Sequence, residues 1–302
     1  TTSSGPSPSI PIREPRRPEP EVDSNRSNPR KERRLVSTAR IRIGLHGATG
    51  RMGLRLIQLI AEDPRVELVA AIDRSRVGED AGVAAGIRSL GVQVKALEDL
   101  GPTEKPDVVI DFSHPSAVPQ IADYCRREKV ALVVGTTGLE LPQQKALDEA
   151  TAVIPVLASP NMSRAVNLLM KLVGEAAAAM GPEADVEIVE RHHRLKKDSP
   201  SGTALRLAEI VTASSGADRL VHGREGQVGE RTRGEIGMHA VRAGDCPGEH
   251  TVLFALAGDS LELTHRALNR DGFVRGAIDA AVFLAAKPPG SYAMRDVLES
   301  GR

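Results

Sequence analysis

The 302-residue chain is long enough for two modest domains. Lys plus Arg and Asp plus Glu both number 40, so no net charge points to nucleic acid or to an acidic membrane surface as a partner. Trp is absent and aromatic residues make up 2 % of the chain, which removes the stacking platforms of single-strand binders and leaves Val, Ile, Leu and Ala to build the core.

Residues 1 to 40 carry Pro6, Pro8, Pro11, Pro15, Pro18, Pro20 and Pro29 among Arg and Ser, with no apolar period. A segment of this kind cannot bury enough surface to fold, and a disordered extension is expected. Glu14, Glu19, Glu21, Asp23 and Glu32 make it too acidic for a transit peptide, and Arg30 to Arg34 reads as a solvated charge run. Cys125 and Cys246 form no CxxC pair, so neither a disulfide framework nor a zinc site is indicated and a reducing cytoplasm is the expected setting. No apolar run approaches the ~20 residues needed to span a bilayer.

Arg42-Ile43-Gly44-Leu45-His46 reads as a short strand, followed at once by Gly47-Ala48-Thr49-Gly50-Arg51-Met52-Gly53. A helix then runs through Leu54, Leu56, Ile57, Leu59 and Ile60 to Asp63-Pro64, and a second strand, Val66 to Ile72, ends on Asp73. This order of strand, glycine turn, helix, strand and acid is the context that makes a dinucleotide fingerprint credible, although the spacing is Gly-x-x-Gly-x-x-Gly. Gly47 and Gly50 let the backbone approach a pyrophosphate, and Gly53 lets the helix pack closely on the strand. The expected cofactor loop is therefore Gly47, Ala48, Thr49, Gly50, Arg51 and Met52. Asp73 stands about 20 residues beyond Gly50, where a ribose-binding acid belongs. Arg74 and Arg76 are placed to meet a 2′-phosphate. The acid favours NAD and the arginines favour NADP, so both NADH and NADPH are expected to serve.

Asp107 to Phe112 runs into Ser113-His114-Pro115, Val130 to Val134 into Gly135-Thr136-Thr137-Gly138, and Ile154 to Ala158 into Ser159-Pro160-Asn161-Met162-Ser163. Continuous apolar strands alternating with helices indicate a buried parallel sheet whose carboxyl edge carries these small and polar clusters. Nucleotides lie on that edge in such folds. His114 reads as a turn residue rather than a catalyst. Residues 41 to 161 are thus expected to form an α/β, Rossmann-like dinucleotide-binding domain.

From Met162 the chain leaves through a helix, Ala165 to Met180. Asp185 to Glu190 then alternates polar and apolar positions like a strand, and Ala204 to Val211 has helical spacing. Between them lie His192, His193, Lys196 and Ser201-Gly202-Thr203. A His-His pair alone is most often a surface accident, and Ser-Gly-Thr before a helix is usually only an N-cap. Together they say more. A helix start offers backbone N–H groups to an anion, Lys196 adds a positive charge, and the imidazoles hold or release a proton near neutral pH. The chemistry implied is protonation of a small carboxylate-bearing substrate. Thr251 to Leu256 and Ser260 to His265 read as a hairpin about Ala257-Gly258-Asp259, joined by Ile236 to Arg242. A sheet so exposed needs a partner on its open face, so an oligomer is expected. Residues 162 to 272 form the second, α+β domain for substrate binding and oligomerisation, and residues 273 to 302 carry a last helix, Phe273 to Ala286.

The run Glu190-Arg191-His192-His193-Arg194-Leu195-Lys196-Lys197-Asp198-Ser199-Pro200-Ser201-Gly202-Thr203-Ala204 closely resembles the signature of the dihydrodipicolinate reductases, Glu-x-His-His-x-x-Lys-x-Asp-x-Pro-Ser-Gly-Thr-Ala, with every fixed position filled. Gly50-Arg51-Met52-Gly53 matches the same family. The common family form has a third His where this chain has Leu195, and Ala-Ala-Asn-Phe where it has Ser159-Pro160-Asn161-Met162. The resemblance covers residues 41 to 298. It implies reduction of 4-hydroxy-tetrahydrodipicolinate with NADPH or NADH in lysine biosynthesis via diaminopimelate, with no metal. It also implies that Gly135, Thr136, Thr137 and Ser159 to Met162 surround the nicotinamide, and that His192 donates the proton. Lys196 would stabilise charge and assist as an acid, while His193 and the N–H groups of Gly202 and Thr203 hold a small dicarboxylate. A homotetramer assembled through the second domain, and a last helix that packs back on the nucleotide domain, are implied as well.

Two rival readings differ at the same residues. Another two-domain nicotinamide enzyme, such as an amino-acid dehydrogenase, would share the glycine turn but has no reason to contain His-His-x-x-Lys with Ser-Gly-Thr. A non-catalytic nucleotide sensor would be expected to lose the proton donor or the lysine, and both are present.

Overall fold

The computed structural model describes residues 39 to 301, so the extension expected over residues 1 to 40 lies almost wholly outside the described residues. Strand β1 (Ile41–His46) leads through the glycine turn into helix α1 (Arg51–Glu62) and strand β2 (Val66–Ile72). Then follow α2 (Ala81–Ala84), β3 (Val94–Lys95), β4 (Val108–Asp111), α3 (Val118–Glu128), β5 (Ala131–Val134), α4 (Leu141–Thr151) and β6 (Pro155–Ala158). The long α5 (Arg164–Met180) carries the chain to β7 (Asp185–His192), α6 (Gly202–Ser215), β8 (Arg219–His222), β9 (Glu235–Arg242), β10 (Glu249–Leu256) and β11 (Asp259–Arg266). Helix α7 (Asp271–Leu284), strand β12 (Gly290–Tyr292) and helix α8 (Met294–Ser300) close the described residues.

The first sheet is parallel throughout, in the order β12-β6-β5-β4-β1-β2-β3. Its central strands have no polar face: all four positions of β4 and all four of β5 are buried. Both faces must therefore be covered. Leu56 and Ile57 of α1 and Ala277, Ile278 and Ala281 of α7 pack with Ile43 and Leu45 on one side. Ile121 and Cys125 of α3 and Leu147 of α4 pack with Leu132 and Val134 on the other. Strand order reverses at β1, which pairs with β2 on one side and β4 on the other, and this switch point opens a crevice beyond the strand ends.

The second sheet has the order β11-β10-β7-β9-β8, antiparallel across β11-β10-β7 and parallel across β7-β9-β8. Strand β7 shows why one face is covered: Val186, Ile188, Glu190 and His192 are buried, while Asp185, Val189 and Arg191 between them are exposed and Glu187 is partly buried. The buried face packs against α5 and α6 through Leu169, Val173, Leu207, Val211 and Phe254. On the opposite face Glu187 accepts hydrogen bonds from Arg224 and Arg231 and lies 2.6 Å from His239.

Three differences from the sequence reading concern element ends and one short strand. The β7 strand runs on to His192 rather than ending at Glu190, and α7 spans Asp271–Leu284 rather than Phe273 to Ala286. Beyond α7 the chain does not simply trail off as one helix. Residues Gly290–Tyr292 pair in parallel with β6 as the outer strand of the nucleotide sheet, and α8 follows. A three-residue strand has too few positions to show a period of two, which is why its sequence carries no signal.

Candidate active site

The glycine turn is built for close approach. Gly47 has φ +79°, and a Cβ there would lie 2.5 Å from the Phe112 carbonyl oxygen. A Cβ on Gly53 would lie 2.2 Å from the Gly47 carbonyl oxygen, so α1 can sit against the turn only without a side chain at that place. Gly50 caps α1, and among the described residues no side chain caps it and no acid stands in its first turn. The first N–H groups of α1 are thus directed at the crevice and suited to a pyrophosphate. Ala48 is fully buried beneath the turn.

Asp73, at the end of β2, accepts hydrogen bonds from the Thr49 N–H at 2.9 Å and from the Ser75 N–H and hydroxyl at 3.1 and 2.9 Å. Burial pushes its pKa up, but these donors outweigh it and hold the carboxyl below its ordinary range, so it remains an anionic acceptor. Asp73 and Arg74 line one cavity of about 480 Å³ with Gly47, Thr49 and Gly50. Arg74 donates to Gln120 at 3.3 Å on an exposed surface. Arg76, the second arginine considered for the phosphate, is turned away: its guanidinium is paired with Glu79 at 2.6 Å and donates to the Ala84 carbonyl.

A residue that sequence reasoning passed over sits at the floor of this cavity. The His46 Nδ1 lies 2.7 Å from the fully buried Asp111 carboxylate, which also accepts from the Ser113 and Thr136 hydroxyls, each at 2.6 Å. Asp111 thereby ties β1, the Ser113 turn and the Gly135-Thr136-Thr137 turn together. Gly135, Thr136, Thr137, Pro160 and Met162 line an adjoining cavity of about 420 Å³ with Arg51 and Met52. Pro247, Arg270 and Phe273 complete that lining from distant parts of the chain, and nothing local in their sequence marks them. Ser159 donates to the Asn161 carbonyl at 2.9 Å, and Asn161 Nδ2 donates to the Thr203 hydroxyl at 3.2 Å. The β6–α5 loop is thus joined directly to the start of α6.

A third cleft, of about 1070 Å³, extends from Thr137, Ser159, Pro160 and Asn161 to His192, Lys196, Ser201, Gly202 and Thr203. Ser201 is the N-cap of α6: its hydroxyl accepts from the Ala204 N–H at 3.2 Å. Gly202 and Thr203 are the first residues of the helix, where N–H groups have no partner within the helix. Lys196 is held by Asp198 at 2.8 Å, and the Asp198 side chain is itself largely exposed. His192 is buried at the end of β7, its Nδ1 2.6 Å from the Glu190 carboxylate. Burial lowers the His192 pKa from the usual imidazole value, Lys196 and Arg242 act in the same direction, and Glu190 opposes them.

His193 does not join this group. Its N–H donates to the Cys246 carbonyl at 2.8 Å, its own carbonyl accepts from the Lys196 N–H, and its side chain is absent from the cleft lining. His193 is the first residue beyond β7, and these two hydrogen bonds fix it in the turn that follows the strand. The two imidazoles, adjacent in sequence, are thus separated by the backbone.

Matches to known proteins agree with this geometry. The family model described as "Dihydrodipicolinate reductase, N-terminus" matches residues 41–162, and "Dihydrodipicolinate reductase, C-terminus" matches residues 165–298. The chain belongs to the dihydrodipicolinate reductase family. It is 49 % identical over 264 residues to the 4-hydroxy-tetrahydrodipicolinate reductase of Alkalilimnicola ehrlichii, covering 85 % of this chain and 98 % of the relative. The corresponding enzyme of Rhodopirellula baltica is 46 % identical over 275 residues, with 87 % and 97 % covered. The dipicolinate-bound dihydrodipicolinate reductase from Paenisporosarcina sp. TG-14 superposes with a TM-score of 0.70 at 29 % identity, over 84 % of this chain and 97 % of that one. An amine dehydrogenase from Mycobacterium smegmatis shares the fold at a TM-score of 0.57 and 13 % identity, over 84 % and 95 % of the two chains, a likeness of architecture alone. Membership makes the chain an NAD(P)H-dependent oxidoreductase of lysine and diaminopimelate biosynthesis, and the capless glycine turn and anionic Asp73 suit that cofactor.

Proposed function

We propose that this chain reduces 4-hydroxy-tetrahydrodipicolinate to tetrahydrodipicolinate, with His192 as proton donor and the start of α6 as the carboxylate site. The observation that carries this reading is the shared cleft, in which His192, Lys196 and the Gly202 and Thr203 N–H groups face the loop of Thr137 and Ser159 to Asn161. After loss of water the substrate is an unsaturated cyclic imine with two carboxylates. When bound, NADPH or NADH supplies the hydride. The N–H groups of Gly202 and Thr203 hold one carboxylate and Lys196 draws negative charge toward itself, while His192 Nε2 delivers the proton that completes the reduction. Asp198 shields Lys196 until an anionic substrate competes for it. His193 reaches the substrate only if the turn of residues 193 to 197 shifts toward the cleft.

For the cofactor, Gly47 to Met52 hold the pyrophosphate, Asp73 and Arg74 the adenosine ribose, and Gly135 to Thr137 with Ser159 to Met162 the nicotinamide. Residues 41 to 161, 162 to 272 and 273 to 302 serve as cofactor, substrate and closing segments. The open face of the second sheet, where Val189 and Val241 are 39 and 42 % exposed, supports assembly as a homotetramer. The free cysteines Cys125 and Cys246 support a cytoplasmic setting; no helix among the described residues is long and apolar enough to cross a membrane.

Binding calorimetry with dipicolinate in the presence of NADPH tests the carboxylate site. Lys196→Ala is expected to weaken binding at least tenfold, and an unchanged affinity would remove Lys196 from the site. For cofactor choice, NADPH and NADH are expected to work within about tenfold of each other, ~1.4 kcal/mol. With Arg76 engaged elsewhere, Arg74→Ala should weaken NADPH and leave NADH nearly unchanged in fluorescence titrations. Equal losses for both would exclude Arg74 from contact with the 2′-phosphate.

A further inference from the structure

Glu190 precedes His192 by two strand positions and therefore shares its face. It is 1 % exposed, a position where an unpaired carboxylate would be very costly. Its charge is met by four donors from three elements. Oε2 accepts from Nδ1 of His192 at 2.6 Å and from Arg242 Nη1 at 2.8 Å; Oε1 accepts from Arg242 Nη2 at 2.7 Å and from the Ser201 N–H at 3.0 Å. Arg242 ends β9 and Ser201 caps α6, so one carboxylate joins the proton donor, the sheet and the anion-binding helix.

The surroundings of His192 give this carboxylate a second consequence. From the following turn it faces Lys196, whose partner is Asp198. From β9 it faces Arg242, and from β10 His250, whose ring stands edge-on at 5.2 Å with His265 of β11 behind it at 6.5 Å. His250 is held neutral, its pKa pushed by burial down to about 3. Burial, Lys196 and Arg242 all disfavour the imidazolium of His192, and Glu190 is the anion that opposes them.

We infer that Glu190 is a positioning residue for the proton transfer: it fixes the His192 ring with Nε2 as the proton-carrying atom and holds the start of α6 in register with it. This rests on His192 being the proton donor. With Nδ1–H committed to the carboxylate, the ring cannot flip, and the neutral form must be the Nδ1–H tautomer. The Ser201 link means that the carboxylate-binding N–H groups and the donor are set by the same side chain. His250, directly opposite Glu190 in the β7–β10 register, lies 3.1 Å from the Ser201 hydroxyl and braces that link from the other side.

Two measurements test the inference. In the pH profile of kcat/KM, activity falls as pH rises through the His192 pKa; Glu190→Gln should move that fall to lower pH by about one unit. At neutral pH kcat should drop by roughly tenfold or more, with NADPH affinity unchanged. A uniform loss at every pH, with the fall in its original place, would show a merely structural carboxylate and overturn the inference. Should the variant fail to fold, ¹⁵N spectra of the wild-type imidazoles decide the matter: a neutral His192 protonated on Nδ1 is expected, and one protonated on Nε2 overturns the inference. Turnover in His192→Ala separates the two levels. Near wild-type turnover there would defeat the proton-donor reading itself, whereas an inactive His192→Ala with an unmoved Glu190→Gln profile defeats only the role of Glu190.

Discussion

His192→Ala is expected to reduce kcat by ~10²–10³, the usual contribution of a general acid or base. The Michaelis constant for substrate should move little, because the contact matters mainly while the proton is in flight. NADPH affinity should be untouched, since His192 lies in the second sheet and outside both cavities lined by the glycine turn. Steady-state kinetics at saturating substrate, with fluorescence titration of NADPH alongside, provide the comparison. A fall in kcat accompanied by an equal fall in cofactor affinity would indicate that the substitution had disturbed the cleft as a whole. A kcat within threefold of wild type would move the proton donor to Lys196 or to a bound water.

Phe254→Ala should be the most destabilising single truncation in the second domain, by about 3–5 kcal/mol. Phe254 is fully buried on β10, opposite Val186 of β7 and Leu261 of β11, and packs beneath α5 and α6. Few aromatic side chains are available to refill the space, because the chain has 4 Phe, 2 Tyr and no Trp. Denaturant unfolding should show the loss in the transition of the second sheet, while NADPH binding survives in conditions where substrate turnover has gone. A change below 1 kcal/mol would mean that the face carrying His250 and Phe254 closes around the missing ring far more readily than its packing implies.

The nucleotide half was legible because each of its signals is local. A helix period after three spaced glycines, and apolar runs ending in Ser113, Gly135 and Ser159, fix a parallel sheet and its working edge with no knowledge of which strands pair. The cleft of His192 and Lys196 was legible for a related reason: His192, Lys196 and Ser201 to Thr203 lie within twelve residues, and one strand end and one helix start suffice to bring them together. What escaped depends on pairing across long separations. That Arg242 reaches Glu190 follows from the β7–β9 register, and that His250 stands opposite Glu190 follows from the β7–β10 register. Neither register is written in any one segment. Arg270 and Phe273 enter the cavity lined by Gly135 to Thr137 because α7 returns to the first sheet, where its Ala and Gly face lets it pack against α1 and β5, and Pro247 reaches the same cavity from the β9–β10 connection. His193 is adjacent to His192 in sequence but lies one residue past the end of β7, where the turn that follows, and not the strand, sets its direction.

The central claim is the reaction itself, and the most direct measurement is oxidation of NADPH and NADH on addition of freshly generated dihydrodipicolinate synthase product. The account predicts rapid loss of the reduced-nicotinamide absorbance with both cofactors, at rates within about tenfold of each other, slowed by ~10²–10³ in His192→Ala and inhibited by dipicolinate. No oxidation with either cofactor by a protein that binds NADPH would contradict it.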